Sequence, residues 1–194
     1  MHTIYSDGQL TPEELISQAV TLGLKGFAIT DHHSTRGYQV AQEWLDDKRE
    51  QSPNNSLPHL WTGVEITSSL SGVEVHILGY GFAPEHPAII PYLQGVRPLG
   101  ENAQVVKVVD AIHQAGGLTV LAHPARYRRP ASELITKAVT ARIDGVEAYY
   151  AYNNPKPWKT SYKETKEVEY LAEQYSLYTT CGTDSHGMSL LYRI

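Results

Sequence analysis

Short apolar runs that each end in a histidine or a carboxylate constrain this chain more than any other feature of its sequence. Gly26-Phe27-Ala28-Ile29 leads into Thr30-Asp31-His32-His33. The run around Val64 delivers Glu65, and the next, Val73 to Gly79, delivers His76. Leu118-Thr119-Val120-Leu121-Ala122 leads into His123-Pro124, Gly145-Val146 into Glu147, and the last run, Leu177 to Cys181, into Gly182-Thr183-Asp184-Ser185-His186. Runs this short and this apolar read as buried strands. Helical patterns lie between them. The first opens on Thr11-Pro12-Glu13-Glu14, with Thr11 as N-cap, Pro12 at the first helical position and Glu14 closing a capping box. Others are predicted from Gly37 to about Arg49, Gln104 to Gln114, Ser132 to Thr140 and Ser161 to Gln174. Strands alternating with helices predict βαβ units around a parallel sheet or barrel. One exception is expected: Leu60 to Thr67 and Val73 to Gly79, joined through Ser68-Ser69-Leu70-Ser71-Gly72, form a hairpin. Gln51 to Pro58 is an exposed polar loop, and Pro84 to Pro98 is proline-rich and ambiguous.

Length and composition narrow the function classes. At 194 residues the chain can bury a substantial core, and residues 1–194 are expected to form a single domain. With 41% hydrophobic and 19% charged residues it is not a disordered chain. No apolar run approaches the roughly 20 residues that span a membrane, and the opening residues show no signal-peptide pattern. The net charge is −5, and the basic residues are scattered apart from Arg126, Arg128 and Arg129. That balance argues against a grip on long nucleic acid. The single cysteine, Cys181, excludes an internal disulfide and fits a cytoplasmic setting. At the end of an apolar strand it is expected to be buried packing, not a nucleophile.

In parallel α/β barrels the C-terminal ends of the strands share one rim, so residues far apart in sequence converge there. Imidazoles and carboxylates without thiolates suit Zn²⁺, Mn²⁺ or Fe²⁺. Two close ions sharing a carboxylate suit in-line displacement at phosphorus. Each residue alone has a plainer use. A histidine after a strand commonly hydrogen-bonds within the core, and Asp31 or Asp184 can cap a helix. Glu65 resists that reading, because its neighbours Val64 and Ile66 call for burial and a buried carboxylate requires a partner. The recurrence of candidate ligands after nearly every strand favours metal binding.

The segments His2-Thr3-Ile4-Tyr5-Ser6-Asp7-Gly8, Ile29-Thr30-Asp31-His32, Gly63-Val64-Glu65, Val75-His76-Ile77-Leu78-Gly79, Ala122-His123-Pro124 and Gly182-Thr183-Asp184-Ser185-His186 run in order along almost the whole chain. In this order they resemble the motifs of the PHP (polymerase and histidinol phosphatase) family of metal-dependent phosphoesterases. The resemblance implies a distorted (β/α)7 barrel holding two or three divalent ions (Mn, Zn or Fe). It implies hydrolysis of phosphate monoesters or small nucleotide phosphates by metal-activated water. Carried over position by position, His2, Glu65 and Asp184 serve one metal. Glu65 bridges to a second, held also by His76 and His123, while Asp7, His32 and His186 hold a third. Arg126 matches an arginine that faces the substrate phosphate in similar small phosphoesterases. Asp31 is expected to support catalysis from behind the ligands, orienting His32 or a neighbour. The implied partner is a small phosphorylated substrate, with nucleotides among the candidates. Two alternatives are an exonuclease-like domain acting on oligonucleotide ends and an inactive structural or partner-binding module.

The chain departs from the family pattern at its start. The family opens on His-x-His, whereas here Met1-His2 opens the chain. The first histidine and most of the first strand are therefore expected to be missing, with truncation at the C-terminus as well. The metal site served by His2 is expected to be the weakest. His33 stands where relatives often carry Asp, and it is expected to lie behind the ligands or at the surface. His59, His86 and His113 have no place in the pattern. The segment from Tyr149 to Trp158 reads equally as a nucleobase-stacking surface or a packed loop. The connection between His76 and His123 is too short for a lid domain, which predicts an open site.

Overall fold

A computed structural model describes residues 1–52, 56–153, 155 and 158–193. The first helix, α1 (Pro12–Thr21), begins as its sequence dictates. Glu14 N donates to Thr11 Oγ1 at 3.2 Å, and Thr11 N donates back to Glu14 Oε2 at 2.9 Å. Two of the helix's orphan donors are thereby satisfied, and Pro12 has none to satisfy. The buried face of α1 carries Leu15, Ile16 and Ala19. Strand β1 (Gly26–Ala28) pairs in parallel with β2 (His59–Trp61), and α2 (Arg36–Gln51) connects them. Part of the loop expected between Gln51 and Pro58, residues 53–55, lies outside the described residues.

Strands β3 (Gly63–Leu70) and β4 (Val73–Tyr80) form the expected hairpin. Its turn is Ser71-Gly72, both at positive φ (51° and 80°), the conformation whose twist matches that of the flanking strands. The pairing is antiparallel throughout, and β4 also pairs antiparallel with β5 (Leu118–Leu121). From β5 onward the sheet is parallel, through β6 (Gly145–Tyr149) to β7 (Tyr178–Cys181). Helices α3 (Val105–Gln114), α4 (Ala131–Thr140) and α5 (Tyr162–Gln174) supply the connections. The ambiguous proline-rich stretch and its sequel hold only two short 3₁₀ turns, Ile90–Tyr92 and Gly100–Ala103.

The architecture is thus a mixed α/β fold, not an all-parallel one, with seven strands among the described residues. Its strands are assigned to a two-stranded sheet (β1-β2) and a five-stranded sheet (β3-β4-β5-β6-β7). A parallel bridge between His32 and Glu65 ties the two together. The antiparallel pairing of β3 with β4 follows from the two-residue turn, which cannot return a strand in parallel. Met1 and His2 lie between the end of β1 and the loop after β7: Thr30 N donates to Met1 O at 2.9 Å, and His2 N donates to Ser185 O at 3.0 Å.

The larger core lies between the five-stranded sheet and helices α3, α4 and α5, around Ile66, Ile77, Ile112, Leu121, Leu134 and Val146. Burying an aliphatic side chain of this size contributes about 1.5–3 kcal/mol. A second core joins α1 and α2 to β1 through Leu15, Ile16, Ile29 and Leu45, and Leu190 from the end of the chain completes it. One expectation is corrected: Cys181 is exposed, because β7 is the last strand of its sheet and most of its residues face outward. His113, outside the ligand pattern, has a structural partner: its Nε2 lies 2.8 Å from Asp144 Oδ2, joining α3 to the loop before β6. Among the described residues, no helix is long and apolar enough to cross a membrane.

Asp144 Oδ2 also accepts from Thr119 N at 2.7 Å and Thr119 Oγ1 at 2.8 Å, which fastens β5 to the start of β6. Partial burial pushes the Asp144 carboxyl up, but the hydrogen bonds from His113 and Thr119 outweigh it and hold the pKa below the ordinary value. A carboxylate lowered by folding stabilises fully above about pH 4, and that contribution drains away as pH falls through the folded pKa. Asp144→Ala is expected to lower the unfolding free energy by about 1–3 kcal/mol in urea titrations near neutral pH. The difference from wild type should shrink in acid.

Candidate metal centre

Glu65 is the centre of the site. It lies on β3 between Val64 and Ile66, and only 3% of it is exposed. Its two oxygens face different histidines. Oε2 is 3.1 Å from His2 Nε2, while Oε1 makes a very short contact with His76 Nδ1 and lies 3.5 Å from His123 Nε2. Burial would raise the Glu65 pKa, but hydrogen bonding to His123, His2 and His76 holds the carboxyl well below its ordinary range. On His2, burial acts to lower the pKa, and the hydrogen bonds to Asp184 and Glu65 override it, carrying the imidazole up to about 9. These opposite shifts describe a pocket that favours a cation.

Three groups of candidate ligand atoms lie within 4.8 Å of one another: His2, Asp7, His32 and His186; His32, Glu65 and His76; and His2, Glu65 and Asp184. All eight residues singled out in the sequence converge on this rim. His123 falls outside the three groups, though its ring is within 5.4 Å of the His76 ring. A divalent ion fits this donor set on a specific observation. Nδ1 of buried His123 and Nδ1 of His32 lack a hydrogen-bond partner, and His123 Nε2 reaches Glu65 Oε1 only at 3.5 Å. Leaving such atoms unpaired is costly, and a metal would satisfy them. The donors are nitrogen and oxygen only, which suits Mn²⁺, Zn²⁺ or Fe²⁺.

The backbone around these ligands is held in uncommon conformations. His123 sits at φ 28° and ψ 60°, and Asp184 at φ 49°. Non-glycine residues in this region store of order 1–3 kcal/mol of strain each. Buried carboxylates oppose that strain. Glu147, delivered by β6, accepts from His123 N at 2.8 Å through Oε2. Burial pushes its pKa up to about 8. Gly182 makes room for it, since a Cβ at that position would overlap Glu147 Oε1. Asp184 divides its carboxylate: Oδ1 lies 3.1 Å from His2 Nε2, while Oδ2 accepts from Tyr150 OH at 2.8 Å, Arg126 Nη1 at 3.1 Å and Arg193 Nε at 2.8 Å.

Asp31 lies behind the His2–Asp7 loop and not behind His32. It is fully buried, and its oxygens accept from Thr3 N (2.6 Å), Thr3 Oγ1 (2.7 Å) and Ser6 Oγ (2.8 Å). It therefore fixes the loop that carries His2 and Asp7, and its hydrogen bonds do not include the His32 ring. His33 is buried, with Nε2 3.2 Å from Thr67 Oγ1, and serves packing. Tyr150 is 2% exposed, bonded to Asp184 and 5.4 Å from the His123 ring, so it belongs to the wall of the site and is not a free stacking face. Asn154, Lys156 and Pro157 of the same segment lie outside the described residues. Sequence reading noted Glu147 among the carboxylates that follow apolar runs and Tyr150 within an aromatic segment, without these roles, and passed over Arg193.

Comparison with known proteins follows from this geometry. Residues 1–187 match the PHP domain family. The 5′-3′ exoribonuclease Rnm of Salmonella typhimurium is 25% identical over 256 residues, covering 95% of this chain and 83% of the relative. A 3′,5′-nucleoside bisphosphate phosphatase of Chromobacterium violaceum is 34% identical over 96 residues, covering 50% of this chain and 31% of the relative. The solved structure of an amidohydrolase from Chromobacterium violaceum, with bound sulfate and no metal, superposes with a TM-score of 0.76 at 22% identity, over 96% of this chain and 86% of that one. That likeness concerns the fold.

The Glu147 anchor has a measurable consequence. Glu147→Ala removes the acceptor that holds His123 N, and Mn²⁺ affinity in titration calorimetry is expected to fall about 10- to 100-fold. Glu147→Gln keeps an acceptor oxygen and should lose less.

Proposed function

The chain belongs to the PHP domain family, and on that premise we propose that it is a metal-dependent phosphoric ester hydrolase acting on phosphate monoesters or small nucleotide phosphates. The observation that carries this reading is Glu65, a buried carboxylate whose two oxygens face separate groups of imidazoles. In this reading His2, Glu65 and Asp184 hold one ion, Glu65 with His76 and His123 a second, and Asp7, His32 and His186 a third. Divalent ions in such a centre polarise phosphoryl oxygens and acidify water near neutral pH.

The chain's own residues do the rest. Arg126 stands at the rim, 39% exposed, with Nη1 on Asp184 and further N–H groups in its planar fork. That fork suits a phosphate oxygen pair. Burial would raise the Asp184 pKa, but the hydrogen bond with His2 and the His2 charge outweigh it and keep the carboxyl ionised, far below the ordinary range. Asp31 and Glu147 keep the ligand-bearing loops in place, which limits reorganisation during turnover. The relatives named above act, by their names, on RNA or on a nucleoside bisphosphate. Both substrates carry phosphate esters, which supports the class without fixing the substrate.

Purified protein supplied with Mn²⁺ is expected to hydrolyse p-nitrophenyl phosphate, and His123→Ala to abolish that activity. Metal-dependent turnover untouched by this substitution would remove the assignment. A second reading, trimming of oligonucleotide ends, is favoured by the similarity to an exoribonuclease over 95% of the chain. The net charge of −5 opposes it. Higher rates on single-stranded oligonucleotides than on mononucleotides would select the second reading, and the reverse order the first.

A further inference from the structure

The ladder between β4 and β5 breaks where it reaches the metal centre. Ile77 pairs with Leu121, and one residue further on Ala122 N donates to His76 O at 3.1 Å. Residues opposed in this way in a regular antiparallel pair exchange a second bond, here from His76 N to Ala122 O. His76 N donates instead to Tyr127 OH at 2.8 Å. The cause lies in the residue after Ala122. His123, at φ 28° and ψ 60°, turns the chain out of the strand and into a 3₁₀ turn over Pro124–Arg126. Tyr127 follows that turn, and its phenol reaches back to take the place of the main-chain carbonyl.

Tyr127 thereby touches two candidate ligands of a single site. Its hydroxyl holds the backbone of His76, and its ring centre lies 5.4 Å from that of His123. The rings of His76 and His123 are themselves 5.4 Å apart at 68°, with His76 Nδ1 and His123 Nε2 both turned to Glu65 Oε1. Glu147 fixes the backbone of His123, and Tyr127 links that residue's ring to the strand that carries His76. Restraints on the other half of the centre come from different residues: Asp31 bonds Thr3 and Ser6 beside His2, and Tyr150 bonds Asp184.

We propose that Tyr127 is a positioning residue for the ion held by Glu65 Oε1, His76 and His123. Its hydroxyl sets the separation of the two imidazoles, and so the affinity for that ion, without bearing on the ion of His2 and Asp184. A metal site tolerates ligand displacements of only about 0.2 Å, so a shift of the His76 backbone is felt in binding. Groups that hold ligands from behind act on metal affinity in this way. The inference rests on the ion assignment under the proposed function, and the two can fail separately.

The test uses the full chain, crystallised and soaked at graded Mn²⁺ concentrations, with the anomalous peak at each ion giving its occupancy. Titration calorimetry with Mn²⁺ in solution repeats the comparison for any variant that does not crystallise. Tyr127→Phe keeps the ring against His123 and removes only the acceptor for His76 N. The ion beside His76 and His123 is expected to bind about 10- to 100-fold more weakly, while the ion beside His2 and Asp184 keeps its wild-type affinity. A general loosening of the fold would move both ions together, so the ratio of the two occupancies separates positioning from stability. Tyr152→Phe removes a hydroxyl from the same loop, one that accepts from Ala125 N at 3.2 Å, and should leave both ions as in wild type. Unchanged binding at the His76–His123 ion in Tyr127→Phe overturns the proposal while the ion assignment stands. Equal weakening of both ions, or the same selective loss in Tyr152→Phe, also overturns it. A wild-type protein with no ion between His76 and His123 removes the ion assignment, and the proposal with it.

Discussion

The whole site depends on a carboxylate buried where the sheet would otherwise be apolar. Glu65 lies on β3 flanked by Val64 and Ile66, both fully buried. An isolated charge there would be expensive, and a neutral carboxyl would leave three neighbouring imidazoles without their acceptor. The fold resolves this by bringing histidines from three other segments to it: His2 from the chain start, His76 from the hairpin partner and His123 from the end of β5. Strand order makes the convergence unavoidable. β3, β4 and β5 are hydrogen-bonded neighbours, and β1 is joined to β3 through the His32–Glu65 bridge.

Around that centre, the ligand-bearing loops are held by further buried acids that do not themselves join the ligand groups. Asp31 ties down Thr3 and Ser6, and so positions His2 and Asp7. Glu147 ties down the backbone of His123 in a conformation that residue would otherwise avoid. Asp31 follows β1 and Glu147 stands within β6. This division explains why the rim is so acidic: some carboxylates face the cation pocket, and others fix the loops that form it. Opposing charges from Arg126 and Arg193 then offset Asp184 at the outer edge.

Much of this was legible in the sequence, for physical reasons that differ by residue. The capping box at Thr11 and Glu14 is a local interaction, and its geometry follows from spacing alone. The convergence of His32, Asp184 and His186 followed from strand ends sharing a rim, whereas Glu65 and His76 stand within the antiparallel strands β3 and β4. The antiparallel run from β3 to β5 was only half visible, since the turn at Ser71-Gly72 announces a hairpin but nothing local announces the β4–β5 pairing. For Asp31 the sequence left open whether it orients His32 or a neighbour, because its donors, Thr3 and Ser6, are brought to it by tertiary contact. The exposure of Cys181 depends on β7 ending its sheet, which no run of residues encodes. Arg193 gave no signal, as its position depends on a fold-back secured by Gln18 and Leu190.

The central claim is that the two oxygens of Glu65 serve two different ions. Anomalous X-ray diffraction from crystals soaked in Mn²⁺ measures this directly. The account expects two anomalous peaks about 3.5–4 Å apart, one beside Glu65 Oε2, His2 and Asp184 and the other beside Oε1, His76 and His123. A single peak that leaves one Glu65 oxygen without an ion, or peaks remote from Glu65, would contradict it.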